Sequence, residues 1–144
     1  MEYVIRRAKE VGNSGEVPVS AVILNQKGIC IGFGSNNRQS KNNPLGHAEL
    51  IALRQASLVK NDWRFNECTL IVNLEPCLMC ASALIQARMG KVIFGATDPK
   101  RGGLGGTIDI SKHKSAHHKL IIEKRVLELK ASEQISNWFK EIRD

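Results

Sequence analysis

Two short stretches, His47-Ala48-Glu49 and Pro76-Cys77-Leu78-Met79-Cys80, constrain this chain more than anything else in it. One imidazole and two thiols make a ligand set suited to a zinc ion, with the fourth tetrahedral position left open. Any fold that uses the set must bring the two stretches to one spot. Cys77 and Cys80 are three apart and share a face at the start of a helix. His47 and Glu49 are two apart and diverge by roughly 200° in mid-helix. They converge on one ion only where a helix begins. Both stretches carry a helix-start signal: Asn43-Pro44 joins a capping side chain to a proline at the first helical position, and Glu75-Pro76 repeats the proline. Two helix N-termini are therefore expected to point at one place, each with partial positive charge that favours thiolate.

The rest of the chain divides cleanly around these stretches. Val4, Ile5, Ala8 and Val11 give residues 2–11 an apolar helical face, and Gly12-Asn13-Ser14-Gly15 stops it. VPVSAVILN and GICIGFG, separated by Gln26-Lys27, predict an antiparallel hairpin. The polar run 34–43 is a loop. A helix is expected from Pro44 to about Lys60, with Leu50, Ile51, Leu53 and Ala56 directed inward. TLIVNL (69–74) and KVIFGA (91–96) are nearly continuous apolar runs, as strands covered on both faces would be. Between them a helix is predicted from Cys77 to about Met89, ended by Gly90. Residues 97–118 are mobile by composition, being rich in glycine and basic groups. A short strand, 119–123, precedes a last amphipathic helix with Leu127, Ala131, Ile135, Trp138, Phe139 and Ile142 at three- and four-residue intervals. The alternation implies a largely parallel sheet with helices on both faces, a three-layer α/β/α architecture with the hairpin as an antiparallel edge. At 144 residues the expectation is a single domain spanning 1–144.

The formal charge of +7 is compatible with a phosphate-bearing partner, though a basic surface alone does not require one. No apolar stretch approaches the roughly 18 residues needed to cross a bilayer, and MEYVIRRAKEVG lacks the apolar core of a signal peptide. A reducing cytoplasm is the natural setting, where Cys77 and Cys80 serve as metal ligands rather than as a bridge. Two alternatives stand beside an open catalytic zinc: a closed structural site, which needs a fourth ligand, and a redox dithiol. Cys30 and Cys68 fall in or beside strands, away from the helix starts, and His113, His117 and His118 lie far downstream. Glu49, placed to move protons at the open position, has no use in a structural site.

His-Ala-Glu followed by Pro-Cys-x-x-Cys resembles the signature of the zinc-dependent nucleobase deaminases. The chain is more closely similar to the bacterial tRNA-specific adenosine deaminases. That resemblance runs nearly end to end, through VPVSAVIL, the Asn36 loop, NPLGHAELIALRQA, LIVNLEPCLMCASALIQARMGKVIFGATD and the Trp-Phe pair of the last helix. It implies the cytidine-deaminase-like fold with a mixed, mostly parallel five-stranded sheet, and one zinc per subunit on His47, Cys77 and Cys80. It further implies hydrolytic deamination of a wobble adenosine to inosine by zinc-activated hydroxide, with Glu49 as the proton shuttle. Asn36 matches a position that hydrogen-bonds the flipped base, or else caps a loop; Asp98 matches one near the nucleotide's sugar and backbone, or else forms a turn before Pro99. Val19 and Leu74 match pocket walls. Lys100, Arg101, Lys140 and Arg143 could meet the phosphates of a tRNA anticodon stem-loop, and the family implies a homodimer. A deaminase of free guanine or cytosine would share the zinc set, and a non-catalytic zinc RNA-binding module is a rival from another class. The chain departs from the family at Asn43-Pro44-Leu45-Gly46, where Gly46 is expected to weaken the helix start, at Ser20, and in the glycine-rich RGGLGG.

Overall fold

The computed structural model describes residues 1–144. In chain order the elements are α1 (Glu2–Asn13), β1 (Ser20–Leu24), β2 (Cys30–Ser35), α2 (Ala48–Lys60), β3 (Thr69–Leu74), α3 (Leu78–Gln86), β4 (Lys91–Ala96), β5 (Ile121–Glu123) and α4 (Glu128–Arg143), with one 3-10 turn at Ile110–Lys112. The sheet order is β2-β1-β3-β4-β5. β1 is antiparallel to both of its neighbours, while β3, β4 and β5 are parallel, so β1 alone opposes the other four strands. The β1–β2 hairpin closes where Asn25 Oδ1 accepts from the N–H groups of Lys27 and Ile29, at 2.9 and 3.0 Å. Gly28, at φ 78°, supplies the left-handed residue this turn needs.

Helices α1 and α4 cover one face of the sheet and α2 and α3 the other. The central strands β1, β3 and β4 are therefore buried along most of their length, which accounts for their unbroken apolar sequence. The main core is a cluster of 18 buried residues, with Phe65, Leu70, Leu84, Met89 and Phe94 among its largest members, and a smaller one joins Ile5, Ala96 and Ala131.

The contact that places α2 is unusually close. Ala48, Ala52 and Ala56 recur every four residues, and all three are fully buried. They face Gly32 and Gly34 of β2; a Cβ at Gly34 would stand 2.2 Å from the Ala48 carbonyl oxygen, and one at Gly32 2.5 Å from that of Ala52. Helix and strand backbones touch because neither side has a larger side chain. This stripe takes the sheet-facing positions expected for Leu50, Ile51 and Leu53, which are only half-buried.

Several predicted boundaries move. The helix expected from Pro44 starts at Ala48, because Asn43 spends its side-chain oxygen on the Leu45 N–H (3.0 Å) in a turn. Gly46 is buried in that turn and does not weaken the helix; a Cβ there would lie 2.3 Å from Asn37 Oδ1. α3 begins at Leu78 and ends at Gln86 instead of Met89, since Arg88 turns left-handed (φ 57°) before Gly90. Residues 97–118 are not the mobile stretch their composition suggests but a folded segment with backbone bridges from Cys77 to Gly102 and from Leu104 to Asp109. In α4, Ala131 is buried, whereas Ile142, near the end of the helix, is 58% exposed and Leu127, its left-handed N-cap, is 41% exposed, although both were expected inward.

Replacing Gly34 by Ala forces α2 away from β2. We expect a loss of about 1–3 kcal/mol in denaturant-measured stability.

Candidate active site

The sheet ends in a cavity of about 570 Å³ at the carboxyl ends of β3 and β4, beside the start of β1. Parallel strands leave their crevice on this side because the chain turns there into the next helix. Here α3 begins, and α2 begins beside it.

His47 is the N-cap of α2, with extended backbone (φ −97°, ψ 141°), and Cys77 is the N-cap of α3 (φ −68°, ψ 172°). Cys80 follows in the first turn of α3 and Glu49 in the first turn of α2. The cap conformation answers the spacing problem: an extended His47 swings its ring to the side on which Glu49 emerges. His47 Nδ1 lies 3.6 Å from Cys77 Sγ and 3.5 Å from Cys80 Sγ, and all three donor atoms fall within 4.8 Å of one another. A tetrahedral zinc with ordinary Zn–N and Zn–S lengths requires about 3.6 Å between such atoms, so the set fits the ion. No fourth His, Cys, Asp or Glu joins the group. Cys30 is on the edge strand and exposed, and Cys68 is buried, so the closed structural site has no ligand to complete it.

The protonation pattern follows from the helix starts. The Cys77 thiol is brought down to about 5, first by a hydrogen bond from the Cys80 thiol, then by backbone N–H groups of Cys80 and Met79 and by the charge of His47. Cys80, which donates to Cys77 and is itself buried beside Glu49, is pushed up. Burial pushes Glu49 up to about 7, helped by the Cys77 charge, while its own backbone N–H and the Cys80 thiol oppose the shift. A buried carboxyl near neutrality is poised both to take and to return a proton.

Around this centre the structure brings most of the predicted residues together. Asn36, Val19, Leu74, Asp98, Lys100, Arg101 and Arg143 all line the cavity, and Lys140 stands outside it, exposed on the same helix as Arg143. The Asn36 side-chain oxygen accepts from the Ala48 N–H (2.9 Å), so Asn36, not Asn43, caps the first turn of α2. Asp98 Oδ1 accepts from the N–H groups of Lys100 and Arg101 (3.0 and 3.1 Å), the turn arrangement. Trp138 and Phe139 were expected in the core; they form part of the cavity wall, edge to face at 5.0 Å, with the Trp138 indole N–H held by the Gly12 carbonyl (2.9 Å).

Three supporting residues escaped the sequence reading. Asn73 is fully buried, accepts from the Ser20 N–H and donates to the Pro18 carbonyl, fixing the start of β1 against β3. Glu16, 4% exposed, accepts from the N–H groups of Gln39 and Ser40 and ties down the Asn36 loop. Glu75, 2% exposed, holds the opposite wall. The available signal was polar residues in or beside strand sequence that is otherwise apolar, since buried polar groups are kept only with partners.

Residues 1–96 match the family model for the cytidine and deoxycytidylate deaminase zinc-binding region. The chain is 35% identical to the tRNA-specific adenosine deaminase of Bacillus subtilis (strain 168), over 99% of this chain and 88% of that protein. It is 37% identical to the protein of the same description in Aquifex aeolicus (strain VF5), over 100% of this chain and 94% of that one. A solved structure from work on A-to-I editing by tRNA:A34 deaminases superposes with a TM-score of 0.89 at 30% identity, covering 93% of this chain and 96% of that one. The fold and the metal site define a zinc-dependent deaminase. The chain belongs to the cytidine and deoxycytidylate deaminase family and, within it, to the branch of the tRNA-specific adenosine deaminases.

His47, Cys77 and Cys80 would hold a zinc ion, which would supply Lewis acidity at the position they leave open. We expect Cys80→Ala to lose the metal and Glu49→Gln to keep one zinc per chain, measured by elemental analysis. In the metal-free protein, folded Glu49 holds its proton up to about pH 7 while the unfolded chain releases it near 4.5. Stability from this group is therefore present below pH 4.5 and lost as pH rises towards 7. Denaturation of the metal-free forms should show Glu49→Gln gaining on wild type across that window, by up to about 3 kcal/mol.

Proposed function

We propose that this enzyme, as one deaminase domain over residues 1–144, hydrolytically converts adenosine to inosine at the wobble position of a tRNA anticodon. The observation that carries this reading is the cavity. The proton-handling Glu49 and the His47–Cys77–Cys80 centre lie in a space larger than one nucleobase, walled by an aromatic pair and bordered by Lys100, Arg101 and Arg143. A nucleotide drawn from a loop needs a path for its neighbours and cations for their phosphates, and this cavity offers both. Full-length similarity to tRNA-specific adenosine deaminases points the same way.

In this reading Asn36 has a divided task. Its oxygen caps α2, leaving its NH₂ group, which has no protein partner, to donate to an acceptor on the flipped base. Val19 and Leu74 give the base apolar contact, and Asp98 stands at the sugar. Glu49 takes one proton from the attacking water and gives it to the ring nitrogen, then takes the second from the new C6 hydroxyl and gives it to the leaving amine, so that inosine keeps the first and ammonia leaves with the second. The four cysteines are free, as suits a reducing cytoplasm, and no helix is long and apolar enough to cross a membrane. Leu58, Val59 and Trp63, 65%, 63% and 57% exposed at and beyond the end of α2, support a homodimer, which sedimentation would detect.

Incubation with an anticodon stem-loop and with free adenine, guanine and cytosine tests the substrate. Inosine should form at the wobble position, and turnover of free bases alone would overturn the reading. Glu49→Ala should lower kcat by at least about 100-fold. Alanine at Lys100, Arg101 or Arg143 should weaken RNA binding and reduce the slope of log affinity against log salt by about 0.7 for each phosphate interaction removed.

A further inference from the structure

The glycine-rich segment after β4 is organised around one buried carboxylate. Glu75 lies between β3 and the zinc helix, immediately before Pro76-Cys77, and no basic side chain pairs with it. Its three partners are backbone N–H groups of the loop: Asp98 to Oε1 at 3.1 Å, and Leu104 and Gly106 to Oε2, both at 2.9 Å. The glycines are the consequence. A Cβ at Gly102 would stand 2.2 Å from Glu75 Oε2, and one at Gly106 2.1 Å from the Asp98 carbonyl oxygen. The loop is tied to the same helix start a second time by the Gly103 N–H on the Pro76 carbonyl, at 2.8 Å.

The segment so held leads directly into the cavity wall. Thr97, Asp98, Pro99, Lys100 and Arg101 line the space opposite Asn36, and the Asp98 N–H is itself one of the three donors. Glu75 therefore joins two parts of the site that are separate in sequence: the helix that carries Cys77 and Cys80, and the wall that carries Asp98 and the cations.

We infer that Glu75 is a positioning residue that sets the 97–101 wall against the metal centre, and so determines how tightly the RNA strand next to the target base is held. This rests on the reading of the substrate as an anticodon loop. Glu75 borders the cavity, but its carboxylate oxygens are taken by the three loop amides and none of its hydrogen bonds goes to His47, Glu49, Cys77 or Cys80, so its loss should appear in binding and not in turnover. Glutamine at this position has the same shape but replaces one acceptor oxygen by an NH₂ that faces backbone donors.

The test compares wild type, Glu75→Gln and Gly106→Ala, the last of which disturbs the cradle without touching α3. Zinc per chain, KM and kcat on an anticodon stem-loop, and Kd for that stem-loop in a Glu49→Gln background are measured, with amide hydrogen exchange across 97–107. Both variants should keep one zinc, raise KM and Kd at least about tenfold with kcat within about threefold, and lose protection at Asp98, Leu104 and Gly106. Unchanged KM and Kd, or a fall in kcat and zinc content at unchanged KM, would overturn the assignment. If Glu75→Gln does not fold, Gly106→Ala decides by the same criteria. A wild-type protein that neither binds nor deaminates the stem-loop would refute the substrate reading instead, while exchange at the three amides still reports whether Glu75 holds the wall.

Discussion

The site depends on two helix N-termini meeting at one point. Each helix offers unsatisfied N–H groups and a positive dipole end, and here the residues at those ends are an imidazole and a thiol. Cap geometry, with extended backbone at His47 and Cys77, lets side chains that would diverge within a helix converge beyond it. The same geometry brings down the Cys77 thiol, first through the Cys80 thiol set beside it and then through backbone N–H groups of the helix start, and buries Glu49 in the first turn of the neighbouring helix. Metal ligation, thiolate stabilisation and a carboxyl poised near neutrality have one structural origin.

Holding two helix ends in register requires close packing elsewhere. The alanine stripe of α2 against Gly32 and Gly34 brings the helix onto β2 at backbone contact distance, and α3 is set by the strand it follows. The cavity walls are then fixed by buried carboxylates. Glu16 gathers the Asn36 loop from one side and Glu75 the glycine-rich loop from the other, each through backbone N–H groups alone. A carboxylate has only acceptor sites and can take several amide donors at once, which makes it an economical anchor for a loop with little side-chain mass of its own.

Much of this was legible in residue order. The strands over 69–74 and 91–96, the hairpin, the helical termini of the chain and the three metal ligands all stand where pattern and spacing put them. The misreadings share one cause, tertiary contacts competing with local signals. Asn43-Pro44 looks like a helix start, yet Asn43 closes a turn and Asn36, from another loop, supplies the cap. Leu50 and Leu53 look like core, yet alanines win the buried face because the strand opposite is glycine. RGGLGG looks mobile, yet its glycines mark the closest approaches of an ordered loop to Glu75 and Asp98.

By itself, the sequence determined which groups meet: the identities and spacings of His47, Cys77 and Cys80 point to a metal centre with the Glu49 carboxyl beside it, and leave an open site, a closed structural one and a redox dithiol to be told apart. Pattern indicated the layers as well, because short apolar runs rich in β-branched residues between turn signals suit strands covered on both faces. The tertiary structure alone decided which polar groups serve the site. Whether Asn36 caps or binds, whether Asp98 turns or faces substrate, and whether Glu75 is a surface charge or a buried anchor depend on backbone donors brought from distant segments. Hydrogen-bond partners and burial are properties of the folded arrangement, and no local pattern encodes them.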